Sequence, residues 1–352
     1  MFMHGNNSFT KHLIFRCIAT RLCVIFSSLF FVISCSSGDG SSSEKKDPTE
    51  DTQADEQDVN QDNNTNNNEN SNDLNANMPP STNFNLATWN ISIPIDEDNN
   101  NKADTVKENE LNNGFTNDNY FYTAADGGMV FKCPIDGFKT SENTKYTRTE
   151  LREMLRAGNT NIDTQGVTKN NWVFGSAPQQ DITNAGGYDG ELHATLAVNH
   201  VTTTGDDDQV GRVIIGQIHA NDDEPLRIYY RKLPNNTLGS IYIAHEENAA
   251  NETFYDLIGS RSKSAANPKD GIALDEKFSY SVKVTGNNMW VTINRDGKDA
   301  IEQFVDMTNS GYDVGGQYMY FKAGVYNQNN TGTATDYVQA TFYSLESGHS
   351  KL

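Results

Sequence analysis

The feature that most narrows the possible folds is a rhythm. From residue 85 onward, short runs rich in Val, Ile, Tyr, Phe, Trp and Thr recur between clusters of Gly, Asn and Asp. Among them are NLATWNISIPI (85–95), MVFKCPI (129–135), TRTELREML (147–155), VGRVIIGQIHA (210–220), FSYSVKVTG (278–286), NMWVTINRD (288–296), QYMYFKAGVYNQ (317–328) and YVQATFYSLE (337–346). None shows sustained helical periodicity with caps, and ENELNNGF (108–115) is at most one short helix. Many short alternating runs with turn signals, and no strand–helix–strand rhythm, specify an all-β sandwich or barrel. GNN (286–288), between two alternating runs, reads as a hairpin turn.

The start of the chain obeys other rules. Lys11, Arg16 and Arg21 give a basic opening, and residues 22–34 form an apolar run of signal-peptide length, too short for a membrane span. The run ends in VISC (32–35), which is similar to the lipobox of bacterial lipoproteins, where cleavage precedes a Cys that is then acylated. An ordinary signal peptide with a chance Cys, or a signal-anchor, is the plainer alternative. Residues 36–82 are almost purely Ser, Asn, Asp, Glu, Gln and Thr. Such a segment cannot bury enough surface to offset chain entropy, so a disordered tether is expected. The expected organisation is therefore a signal peptide over 1–34, an anchor at Cys35 with its tether over 35–82, and one domain over 83–352. The expected location is a bacterial membrane, the outer one, with the domain displayed outward by a lipid on Cys35.

Removing Cys17 and Cys23 with the signal, and acylating Cys35, leaves Cys133 without a partner, and it reads as a small buried hydrophobe. The formal net charge is −20, and residues 83–352 keep 22 basic and 36 acidic side chains, a balance of −14. That argues against nucleic acid as a partner. An anionic ligand requires positive charge gathered locally.

Three strands gather it. Side chains alternate faces along a strand, so Arg148, Glu150 and Arg152 point one way while Thr149 and Leu151 point the other. In GQIHA, Gln217 and His219 share a face opposite Ile218; in YFKAGVYNQ, Tyr320, Lys322, Tyr326 and Gln328 share a face opposite Phe321, Ala323 and Val325. The apolar set belongs to a sandwich core and the polar rows to an outer, concave face. Taken singly, Arg148–Glu150–Arg152 is a same-face ion-pair ladder of little energetic worth, His219 a satisfied histidine and Tyr326 a packing aromatic. Together the rows form a floor suited to a saccharide bearing carboxylates.

RTELR (148–152), QIH (217–219) and YFKAGVYNQ (320–328) resemble, in order and spacing, the three motifs of the alginate lyases of polysaccharide lyase family 7, a likeness extending over about residues 83–346. The resemblance implies a β-jelly roll of two antiparallel sheets whose concave face binds alginate, a polymer of mannuronate and guluronate. It also implies Arg148, Gln217, His219 and Tyr326 as the catalytic set, with Glu150, Arg152 and Lys322 shaping or binding within the groove. Tyr320 and Gln328 join them from the same row. Ile218, as the middle residue of QIH, is associated in that family with acceptance of guluronate-containing polymer.

Eliminating a 4-O-linked uronate removes the proton on C5, beside a carboxylate that already carries charge. Donors aimed at the carboxylate oxygens stabilise the enolate-like state, and Arg148 and Gln217 supply them. A base takes the C5 proton and an acid protonates the departing O4; His219 and Tyr326 suit these roles. For guluronate the proton and O4 lie on opposite sides, matching His219 as base and Tyr326 as acid. For mannuronate they lie on one side, where Tyr326 can serve both steps. No metal or cofactor is needed, and a monomer acting on alginate or oligoalginate is expected.

Acidic runs at 96–108, 206–209 and 221–224 read as solvated loops. The first lacks the Gly and terminal acid of a calcium loop, while the last could line the groove rim close after His219. A glycoside hydrolase usually needs two carboxyls flanking the bond, and the rows offer only Glu150, held ionised between two arginines. A non-catalytic carbohydrate-binding module, or a lyase for another polyuronate such as polyglucuronate, are the remaining alternatives.

Overall fold

The computed structural model describes residues 74–249 and 251–352; the signal, the Cys35 anchor and the tether up to residue 73 lie outside the described residues. Two sheets face each other across one core. The first has nine strands in the order Glu252–Ile258 (β11), Leu238–Glu246 (β10), Leu226–Arg231 (β9), Arg212–His219 (β8), Tyr320–Asn327 (β16), Arg148–Glu153 (β5), Trp89–Ile93 (β1) and Asp104–Val106 (β2), with Ile272–Ala273 (β12) paired to β10. The second runs Ile301–Asp306 (β15), Asn288–Arg295 (β14), Phe278–Thr285 (β13), Gly187–His200 (β7), Tyr337–Ser350 (β17), Met129–Pro134 (β4) and Phe121–Thr123 (β3). Trp172–Val173 (β6) adds a short parallel pairing to β7; the other pairings are antiparallel. This is the jelly-roll sandwich expected from the sequence.

Burial explains how each sheet reads in sequence. In β13 and β14 burial alternates residue by residue, the pattern of a sheet with one face in solvent. The loop between them is Gly286–Asn287, and Gly286 has a φ of +57°, the sign a tight hairpin demands. In β8, β10 and β16 nearly every residue is buried, because the outer face of the first sheet is itself covered around a groove. The inner face contributes Leu151, Ile218, Phe321, Ala323 and Val325 to the core, as the alternation required, against Leu192, Phe278, Tyr280 and Val282 from the second sheet. Each fully buried Leu, Ile, Val or Phe among them stabilises the fold by about 1.5–3 kcal/mol.

An ion pair lies buried between the sheets. Glu153 on β5 takes hydrogen bonds from His349 Nε2 (3.0 Å) and Ser347 Oγ (2.7 Å) on β17, and the His349 Nδ1–H donates to the Asp189 carbonyl at 2.7 Å. Burial opposes both charges, yet each partner holds the other charged, so Glu153 titrates low and His349 high. The last strand thus clamps the back of β5, whose front carries Arg148, Glu150 and Arg152.

Several elements escape the sequence reading. Residues 74–82, expected in the tether, are docked on the domain: Leu74 packs on the core, Pro80–Asn83 form a helical turn, and Thr123 Oγ1 donates to Met78 O at 2.7 Å. Part of the run 96–108 is not loop, since Asp104–Val106 pairs with β1 and Glu108 opens a short helix to Asn112. Glu108 is buried there against Arg156 at 2.7 Å. The stretch 245–277 holds β11 at the sheet edge. Edge strands such as β11 and β15 each keep only one fully buried position, so their sequences show little of the apolar alternation that marks inner strands.

Candidate active site

The register of β5, β16 and β8 builds the site. β5 and β16 pair antiparallel with Lys322 opposite Arg152, Gly324 opposite Glu150 and Tyr326 opposite Arg148. β16 pairs on its other side with β8, placing Tyr320 beside His219 and Lys322 beside Gln217. The three polar rows therefore lie on adjacent strands of one face. Gly324 is needed where it stands: its φ is +135°, and a Cβ there would lie 2.7 Å from Thr149 O and 2.9 Å from Glu150 Cα. A break in register of β8 near Ile215 keeps Gln217 and His219 on the groove face together with Ile214.

Glu150 is the hub. Its carboxylate pairs with Arg148 Nη1 at 3.0 Å and Lys322 Nζ at 2.5 Å, and accepts a hydrogen bond from Gln217 Nε2. Burial opposes its charge, but Lys322 and Arg148 hold it ionised, below the usual carboxylate range. An ionised carboxylate only accepts, so Gln217 must turn its NH2 toward it, which leaves the second N–H of that amide for a ligand. Burial and neighbouring Arg148 press Lys322 down to about 8, with Glu150 opposing.

Arg152 departs from the expected ladder. It does not share Glu150; its Nη2 donates to Thr164 O (2.7 Å) and Asn171 Oδ1 (3.2 Å), and its guanidinium lies 4.0 Å from the Tyr320 ring centre. Lys322 takes its place because Gly324, opposite Glu150, has no side chain and leaves the diagonal open. Tyr320 stacks in turn on His219, centroids 4.9 Å apart at 11°. Gln328 closes the row, its carbonyl accepting from Arg212 Nη2 at 3.3 Å.

His219 Nδ1 lies 2.5 Å from the Ala220 carbonyl, which can only accept. The proton therefore sits on Nδ1, and Nε2 keeps a lone pair. Burial first, then Lys322 and Arg148, press the imidazole down to about 3, so it is neutral at ordinary pH. Tyr326 lies under Arg148, guanidinium to ring centre 3.7 Å, with Tyr146 at its edge. Burial raises its phenol against the pull of Arg148, so it keeps its proton. A neutral imidazole and a protonated phenol thus stand near the Arg148 guanidinium.

The groove over this floor has a volume of about 490 Å³. Arg148, His219, Tyr326 and Gln328 line it, as expected, together with residues the sequence reading passed over: Tyr146, Arg227, Tyr229 and Glu252. Glu224, from the acidic run after His219, also enters it, with Oε1 3.6 Å from His219 Nε2. The carboxyl count expected from the polar rows was therefore too low. Arg227, Tyr229 and Arg231 alternate in LRIYYR just as the arginines do in RTELR, and that signal was present. Elsewhere, the carboxylates of Asp96, Asp98 and Asp104 converge to within 4.8 Å, but they accept the N–H groups of their own loop.

Comparison with known proteins gives this site its context. Residues 84–349 match the profile of a family described as alginate lyase. The chain is 55% identical over 279 residues to an alginate lyase of Klebsiella pneumoniae, covering 77% of this chain and 91% of that one. The crystal structure of the Klebsiella pneumoniae alginate lyase superposes with a TM-score of 0.76 at 54% identity, over 77% of this chain and 98% of that one. Alginate lyase A1-II′, a member of polysaccharide lyase family 7, matches with a TM-score of 0.55 at 25% identity over 78% and 99% of the two chains. The chain belongs to the alginate lyases of polysaccharide lyase family 7.

Proposed function

We propose that the domain cleaves alginate by β-elimination at 4-O-linked uronate residues, guluronate among them. The observation that carries this reading is the Glu150 hub, which aims Arg148, Gln217 and Lys322 at one place beside the lone pair of His219. A uronate carboxylate seated there meets the Arg148 fork and the free Gln217 N–H, which offset the charge that builds as C5 loses its proton. His219 Nε2 takes that proton and the Tyr326 hydroxyl gives one to O4. The neutrality of His219 and the protonation of Tyr326 support this division of labour. Ile218 faces the core, so the lean toward guluronate rests on how it seats Gln217 and His219.

The product is an uronate with a C4–C5 double bond conjugated to its carboxylate, which absorbs in the ultraviolet. Purified protein mixed with polyguluronate, polymannuronate or mixed alginate is expected to raise that absorbance, most readily where guluronate is present. A flat trace on all three polymers would sink the reading.

The lipobox-like VISC and the polar tether support a further part of the proposal, that the domain is held at the outer membrane by acylated Cys35. Expressed in a bacterium that processes lipoproteins, the full chain is expected in the detergent-extracted membrane fraction and Cys35→Ala in the soluble one. Equal partition of the two chains contradicts the anchor.

A further inference from the structure

The proposed elimination gives Glu224 no task, yet among the described residues no other carboxyl lies so near the proposed base. Its Oε1 is 3.6 Å from His219 Nε2, and its Oε2 is 3.9 Å from Arg227 Nη1. Arg227 is itself anchored, 3.0 Å from Glu246 and paired with Glu252 as well. The His219 ring cannot turn from Glu224, because Nδ1 is fixed on Ala220 O and the ring face is stacked on Tyr320. Lys322 and Arg148, both cationic, stand near the imidazole and oppose a charged ring.

A base in that position has a difficulty. Once Nε2 takes the C5 proton, an imidazolium faces two fixed cations, and something must offset it and then remove the proton. We propose that Glu224 is a positioning residue acting through His219: its carboxylate offsets the imidazolium and then takes the proton on to water. This rests on the reading of His219 as base. In the elimination the C5–H bond breaks as Nε2–H forms, the electron pair becomes the C4–C5 double bond, and C4–O4 breaks with O4 taking the Tyr326 proton. The Nε2–H proton then moves to Glu224 Oε1 and out to water, and water returns a proton to Tyr326, so none is consumed overall.

The step depends on pH through the charge of Glu224. Facing it are His219 on β8, Asp222 on its own loop, Arg227 and Tyr229 on β9, Glu246 on β10, and Glu252 on β11. Lys322 and Tyr326 on β16, Arg148 on β5, and Tyr312 before β16 complete its surroundings. Burial, reinforced by Glu246 and opposed by Arg227, pushes its carboxyl up to about 7. The accepting form therefore appears as pH rises through neutrality, and turnover should rise with it.

The test is kcat and KM on alginate across acid to alkaline pH for the full chain, Glu224→Gln, Glu224→Asp and His219→Ala. Glu224→Gln is expected to lose about tenfold in kcat on the alkaline side, with KM little changed, and to lose the rise near neutrality. On the acid side it should converge with the parent, and Glu224→Asp should restore part of the rise. A Glu224→Gln enzyme with the parental pH profile overturns the proposal. So does a change confined to KM, or an equal loss at every pH with a lower melting temperature. His219→Ala separates the two readings: if it is inactive while Glu224→Gln is normal, only the role of Glu224 falls. If His219→Ala stays active, the base assignment falls with it.

Discussion

Tyr326→Phe is expected to lower kcat by about 10²- to 10⁴-fold, the usual contribution of a positioned acid, while alginate oligosaccharides still bind. The substitution removes one hydroxyl and little else. The ring keeps its place beneath Arg148, its edge contact with Tyr146, and its packing against the apolar cluster of Ile214, Tyr229, Tyr242 and Ala244 on the groove face. Glu150 keeps its contacts with Arg148, Lys322 and Gln217 without that oxygen, so the part of the site proposed to hold the carboxylate stays assembled. Loss of turnover with retained binding thus isolates the proton delivered to O4. Ultraviolet absorbance gives kcat, and calorimetry with a saturated oligosaccharide gives affinity. If the Phe variant turns over at the parental rate, another group protonates O4.

Much of this site is legible in the sequence because a strand displays its plan every second residue. RTELR, QIH and YFKAGVYNQ separate an inner set, Leu151, Ile218, Phe321 and Val325, from an outer set, and the structure keeps that division. What alternation cannot give is register. Which of Arg152 and Lys322 pairs with Glu150 depends on how β5 slides against β16 and on the missing side chain at Gly324, and sequence order favoured the wrong one. Glu252 was hidden for another reason. β11 is an edge strand whose side chains are mostly half-buried or exposed, so its period marks it weakly. Glu224 lay in a run of acids that reads as solvated loop; only the turn from β8 into β9 brings it back over His219. Arg227 obeyed the same rule as Arg148 and could have been found by it.

Glu150→Gln should show how far the donors depend on their hub. The variant keeps the shape of the side chain but brings an NH2 among Arg148, Lys322 and Gln217, all of which donate there. Breaking a buried ion pair by removing one partner costs about 3–5 kcal/mol, because the remaining charges stay out of water. Lys322, already at about 8, should fall further and lose its charge near neutral pH. The Gln217 amide loses the acceptor that fixes its orientation, and the uronate carboxylate loses aligned donors, which is worth about 10²- to 10³-fold in kcat. The effect on stability has a defined sign with pH. The Glu150 carboxyl titrates below the ordinary 4.5 in the folded chain, so its contribution is complete above that value and is lost as pH falls through the folded one. Urea unfolding should therefore separate parent and variant most widely above pH 4.5, and the gap should close in more acid solution. A variant with parental kcat and an unchanged unfolding midpoint would mean that Arg148, Lys322 and Gln217 are positioned by the strands that bear them, without need of the carboxylate between them.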